Sequence, residues 1–208
     1  MKPPYLPLHL LLTLPSPSKT TPITQQNPCP LLHILSARET TAPPGFGSSL
    51  TLTNLLLSTF NHSSGTSPPI ITAEAITYPA LGANDAEYAA SVTTGTAAVV
   101  KQLSTFNAQC PETVVILHGY SQGGQIIDDA LCGVPGEEGT KVGKPLVGRG
   151  VQRRVGGVVL MGSPGMISFC DEGDPFCSDG EEEGVHLRYG EVYGREALRF
   201  VVGRVLVG

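Results

Sequence analysis

Ser121 stands at the centre of Gly119-Tyr120-Ser121-Gln122-Gly123, a G-x-S-x-G pentapeptide. A serine hydroxyl attacks a carbonyl carbon only when a neighbouring base takes its proton. In a chain with 25 glycines the pentapeptide alone carries little weight, so its setting decides. It directly follows the apolar run Val114-Val115-Ile116-Leu117 and opens a helical pattern from Gln122 to Leu131. That is the strand–turn–helix elbow that exposes a nucleophilic hydroxyl. Glycines on either side permit the tight turn, because side chains there would meet strand or helix. The elbow also sets the backbone N–H of Gln122 at a helix start, unpaired and at the positive end of the dipole. Such a donor suits a developing oxyanion, and a second is expected from the loop after the first strand.

A base and an acid must accompany the serine. In this kind of elbow the chain order is Ser, acid, His, and of the five histidines only His186 follows Ser121. His9, His33, His62 and His118 read as structural or surface residues. For the acid, Asp171 and Asp174 compete, both lying between Cys170 and Cys177. A Cys170–Cys177 bridge would close a short loop and fix its middle. The run Asp179 to Glu183 reads as a solvated acidic loop, without the alternating oxygen ligands and central glycine of a calcium loop. No metal and no cofactor is expected.

The elements that must position these residues alternate along the chain. Leu31 to Ala37 reads as strand one, Ser48 to Phe60 as a helix and Ile70 to Tyr78 as strand two. Asp85 to Phe106 is the longest helical pattern, with Asn84 or Asp85 as its cap. Thr113 to His118 is strand three, Gly133 to Arg154 a Gly/Pro-rich charged loop, Val155 to Met161 strand four and Glu191 to Val205 a closing helix. Strands alternating with helices imply a parallel sheet covered on both faces.

Composition places this domain. Hydrophobic residues are 40% and charged residues 15%, which suits a packed core rather than disorder. A formal charge of -5 argues against nucleic acid as a partner. Lys2 followed by the apolar run Leu6 to Leu14 reads as an export signal too short to span a membrane. Residues 1–28 are thus expected to be signal and leader, 29–208 the functional domain, and the protein secreted. Export makes the five cysteines candidates for disulfides. Cys29 and Cys110 precede two strands and could staple their entrances, Cys170 could pair with Cys177, and Cys132 is left as a free thiol. Asn61-His62-Ser63 is a sequon, giving Asn61 as a glycosylation site.

Three stretches together resemble the acetylxylan esterase and cutinase family. They are Ala37-Arg38-Glu39-Thr40-Thr41-Ala42-Pro43-Pro44-Gly45, the elbow with Asp128-Asp129-Ala130-Leu131-Cys132, and Cys170 to Cys177 with His186, Tyr189-Gly190 and Glu191-Val192-Tyr193-Gly194. The likeness covers most of Cys29 to Phe200, and the Arg-Glu-Thr-Thr loop favours the acetylxylan esterase branch. The resemblance implies a three-layer α/β-hydrolase-like fold with a lidless, mostly parallel five-stranded sheet. It implies a Ser121–His186–Asp174 triad without metal, which settles the acid on Asp174, and oxyanion donors at Thr40 and the backbone of Gln122. It implies action on acetylated xylan, or on a cutin-like polyester or short-chain lipid ester, and the protein is expected to be a monomer.

The sequence departs from that family in two places. Strand four runs almost straight into the fifth candidate strand, Met166 to Cys170, although parallel neighbours need a crossover of about a dozen residues. The expectation is therefore that this segment folds back or is no strand. Folding back along six residues would carry Asp174 roughly 20 Å from its place, leaving an impaired scaffold suited to interaction rather than catalysis. A chain that stays at the C-terminal edge of the sheet keeps Asp174 within reach of His186, and this outcome is favoured. At the second departure Ser178 stands where the acetylxylan esterase branch has a cysteine, which removes a partner for Cys132.

Overall fold

The computed structural model describes residues 28–62, 71–133, 145–162, 168–169, 171, 173–175 and 180–207. Strands β1 (Leu32–Ala37), β2 (Ile71–Ala75), β3 (Val114–Tyr120) and β4 (Val155–Met161) form the body of the sheet. A fifth, β5 (Ser168–Phe169), contributes two residues at the edge. The order is β2-β1-β3-β4-β5 and every pairing is parallel. The expected five full strands are therefore four and a short remnant.

Alternation along β1 and β3 sorts two cores. Leu35, Ala37, Val115 and Leu117 face Val99, Leu103, Ile126 and Ile127, which belong to α2 (Asp85–Gln109) and α3 (Gln122–Cys132). Leu32, Ile34, Ile116 and Tyr120 face Leu52, Leu56, Ala197 and Val201, from α1 (Leu50–His62) and α6 (Tyr189–Val207). Each such aliphatic side chain, fully buried, contributes roughly 1.5–3 kcal/mol. The result is helix, sheet, helix. At the start of α2 the side chain of Asn84 accepts from Glu87 N, so Asn84 is the cap.

The fifth strand corrects the sequence expectation. It is neither folded back nor absent: Leu160 pairs with Ser168 and Met161 with Phe169, in parallel. A full-length parallel neighbour needs a long crossover because the chain must return the length of the strand. Here β5 matches only the last two residues of β4, so the chain returns by two residues and the short connection suffices. Two loops of the sequence reading also contain helix. A short α4 (Arg149–Gln152) precedes β4, and α5 (Glu183–His186) begins on the last residue of the acidic run.

The bridge Cys29–Cys110 is present, with Cα atoms 5.5 Å apart. It staples the entrances of β1 and β3, where Thr113 Oγ1 also donates to Pro30 O (2.7 Å) and Val114 N to Leu31 O (3.0 Å). Cys170 and Cys177 lie outside the described residues, as do His9 and the signal segment. Cys132 is the last residue of α3. Among the described residues no helix is long and apolar enough to cross a membrane.

Candidate active site

From β1 the chain crosses to one side of the sheet, to β2; from β3 it crosses to the other, to β4. The C-terminal ends of β1 and β3 therefore flank the topological switch point, where open α/β sheets hold their ligands. Ser121 follows β3 at that point with φ 50 and ψ -121. A non-glycine residue adopts such angles only when its surroundings enforce them. Ser121 N donates to Met161 O at the end of β4 (2.8 Å), and its carbonyl accepts from Gly124 N (2.8 Å) and Gln125 N (3.1 Å).

The flanking glycines are required by close approach. A Cβ on Gly119 would stand 2.4 Å from Gly123 O, and one on Gly123 would stand 2.3 Å from Ala37 O. Helix α3 thus begins pressed against the end of β1, with the peptide N–H of Gln122 in its first turn. The Gln122 side chain is fully buried and ties the elbow to the 80–82 loop. Its Nε2 donates to Leu81 O (3.0 Å), while its Oε1 accepts from Ser91 Oγ (3.1 Å). Ser91 Oγ in turn accepts from Leu81 N (3.0 Å).

The loop after β1 is held around Thr40 by its neighbours Arg38, Glu39 and Thr41. Arg38, 3% exposed, donates to Ala42 O (2.9 Å) and Tyr78 O (2.6 Å), with its guanidinium 4.8 Å from the Tyr78 ring centroid. Glu39 accepts from Ser48 N (2.8 Å) and Ser48 Oγ (3.0 Å). Thr41 and Ala80 both carry positive φ (64 and 54), and Thr41 N donates to Ala80 O (2.7 Å). Thr40 lies so close to Gly82 that a Cβ there would meet its methyl at 2.3 Å. None of these supports was read from the sequence, although Arg38 and Glu39 lie inside the motif that drew attention to the loop.

On the far side of the elbow, Asp174 and His186 are brought together. His186 Nδ1 lies 2.8 Å from Asp174 Oδ2, and both residues are buried. The imidazole lies against Gly162, whose positive φ (62) leaves no room for a side chain: a Cβ would meet His186 Cε1 at 2.6 Å. Gly162 follows Met161, the residue whose carbonyl holds Ser121 N. Asp171, the rival acid, instead accepts from Tyr193 Oη.

Two buried tyrosines complete this side. Tyr120 Oη donates to His186 O, and Tyr189 Oη donates to Asp174 Oδ2 (2.8 Å). Burial raises the pKa of both phenols, Tyr120 to about 12, so each keeps its proton at neutral pH. Sequence reading placed Tyr189 in a motif without a role. Its spacing of three from His186 was the available signal.

Of the other histidines, His33 and His118 bond to none of these site residues. His33 stacks on Phe106 at 3.7 Å with Nδ1 2.8 Å from Thr72 Oγ1, and burial lowers it to about 4. His118 is wholly enclosed in β3 and burial lowers it to about 3. Neither of its ring nitrogens has a hydrogen-bond partner among the described residues. The sequon residue Asn61, next to last in α1, clasps the start of β2: Nδ2 donates to Ile71 O (3.2 Å) and Oδ1 accepts from Ile71 N (3.3 Å).

Comparison with known proteins agrees with this architecture. The family model described as Cutinase matches residues 28–205. Cutinase 11 of Verticillium dahliae is 36% identical, with 96% of this chain and 77% of that protein covered. Acetylxylan esterase 2 of Talaromyces purpureogenus is 36% identical, with 88% and 90% covered. The catalytic core domain of acetyl xylan esterase from Trichoderma reesei superposes with a TM-score of 0.75 at 32% identity, covering 85% of this chain and 100% of that one.

Proposed function

The chain belongs to the cutinase family of ester hydrolases, and from that premise we propose that it is a serine esterase that removes acetyl groups from xylan. Ser121 Oγ attacks the ester carbonyl as His186 takes its proton. Asp174 fixes the imidazole tautomer and stabilises the imidazolium. Thr40 and the N–H of Gln122 hold the oxyanion. His186 then protonates the departing sugar oxygen, and water attacks the acetyl-serine to release acetate. No metal or cofactor enters the cycle.

One observation carries this reading. The Asp174–His186 pair lies against Gly162, one residue beyond the carbonyl that anchors the strained Ser121. The short connection that raised the prospect of an impaired interaction protein leaves acid and base 2.8 Å apart. Acetylxylan is favoured over a cutin-like polyester by the structural neighbours, three of which are acetyl xylan esterases. The Cys29–Cys110 bridge supports an exported protein, with residues 1–28 as signal and leader, 29–208 as the esterase domain, a glycan at Asn61 and a monomer as the working unit.

The test compares wild type with Ser121→Ala on acetylated xylan and on a long-chain aryl ester. The expected result is faster turnover of acetylated xylan, falling by about 10⁴-fold or more in the alanine variant. Undiminished turnover by Ser121→Ala would overturn the nucleophile, and faster cleavage of the long chain would assign the protein to the cutin-type reading.

A further inference from the structure

We infer that Tyr189 and Tyr120 are positioning residues that hold the acid–base pair from below, an inference that rests on the esterase reading above. The elements carrying this pair are slight. Asp174 belongs to no regular element, His186 ends the four-residue α5, and the neighbouring β5 has two residues. Helices and strands of such length do not fix a side chain to the few tenths of an ångström that proton transfer demands. Hydrogen bonds from buried, rigid side chains can.

The two phenols do this at both ends of His186. Tyr189 Oη donates to Asp174 Oδ2, the same oxygen that faces His186 Nδ1 at 2.8 Å. That contact fixes the carboxylate's rotation about its Cβ–Cγ bond. Tyr189 Oη also accepts from Asp171 N (2.8 Å), tying the acid's loop to the first turn of α6. Tyr120 Oη donates to the carbonyl of His186 and accepts from Tyr189 N (3.3 Å). Since Tyr120 ends β3 and directly precedes Ser121, this bond references the base to the strand that carries the nucleophile. The rings pack edge-on, Tyr120 to His186 at 5.8 Å and Tyr120 to Tyr189 at 6.2 Å between centroids. Both phenols are 1% exposed, so water cannot compete for the acceptors.

A tyrosine of the same stack supplies the control. Tyr193 stacks on Tyr189 at 5.8 Å, yet among the described residues its hydroxyl bonds the loop residue Asp171 and not Asp174. If the phenols merely fill the core, Tyr189→Phe and Tyr193→Phe should behave alike.

Steady-state kinetics on a short acyl ester, with a thermal melt of each variant, separates the two cases. Tyr189→Phe is expected to lower kcat by about 10- to 100-fold with KM within about twofold, and Tyr193→Phe to keep kcat within about threefold. Tyr120→Phe carries the same expectation as Tyr189→Phe and stands in if that variant fails to fold. Wild-type kcat in the folded Phe variants, or equal losses in Tyr189→Phe and Tyr193→Phe, overturns the inference. Failure of the esterase reading shows separately, as wild type without Ser121-dependent hydrolysis. The low-field Nδ1 proton of His186 then decides by NMR: slow to exchange in wild type and lost in Tyr189→Phe if the clamp exists, unchanged if it does not.

Discussion

The two sides of the site are built by different means. On the elbow side, backbone presses on backbone: Gly123 against Ala37, Gly119 against Gly123, and the strained Ser121 between a seven-residue strand and an eleven-residue helix. On the acid–base side, a two-residue strand and a four-residue helix leave the work to side-chain hydrogen bonds from Tyr120 and Tyr189. The geometry of Ser121 is thus a property of the sheet, while the geometry of Asp174 and His186 depends on a few polar contacts. The first tolerates almost no added atom at its glycines. The second should tolerate added bulk at exposed Gly184, though not at Gly162 beneath the imidazole, and should not tolerate lost hydroxyls.

The sharpest way to break this contrast is a pair of glycine substitutions. Gly123→Ala forces a methyl to within 2.3 Å of Ala37 O, where no flexible side chain can yield. Overpacking of that kind costs about 3 kcal/mol or more, and activity should vanish with it. Gly184→Ala, at an exposed position of α5 with nothing within 4 Å of the new methyl, should be neutral or stabilise by up to about 1 kcal/mol. Chemical denaturation of both variants reads the difference. Equal effects would show that the elbow side is no tighter than the acid–base side.

A smaller effect comes from the sheet beneath the elbow. His118 stays uncharged in the fold because burial lowers it to about 3, whereas the unfolded chain's imidazole takes a proton below about 6.5. The unfolded state therefore binds more protons between those values. Stability is whole above about 6.5 and is lost as pH falls, by about 1.4 kcal/mol per pH unit for one group. His118→Val should reduce the slope between pH 6 and 4 by that amount, leaving the part due to buried His33, and keep the neutral-pH rate of ester hydrolysis near wild type. An unchanged slope, measured by urea unfolding at several pH values, would show that His118 is already satisfied.

How much of this was legible in the sequence follows the same division. The elbow could be read because a strand, a G-x-S-x-G turn and a helix follow one another locally, and Val155–Met161 was found to the residue. The acid–base side was legible as a motif but not as a structure. The acidic run Asp179 to Glu183 gave no sign that its last residue begins the helix carrying His186, because four residues show no helical period. The bonds from Tyr120 to His186 and from Tyr189 to Asp174 join residues 66 and 15 apart, and no spacing rule records them. Thr41 and Ala80 take positive φ without being glycine, a cost imposed by the packing around Thr40 that composition does not reveal. The parallel β5 escaped because the crossover rule was applied to a full strand, while only two residues pair.

Ser121 is proposed to be an activated nucleophile served by His186. Incubation with an aryl phosphonate ester, followed by peptide mass mapping, tests it most directly. One phosphonylated residue, Ser121, is expected in wild type, with labelling slowed by about 10²-fold or more in His186→Ala and abolished in Ser121→Ala. Labelling at another residue, or at Ser121 with equal speed when His186 is removed, would contradict it.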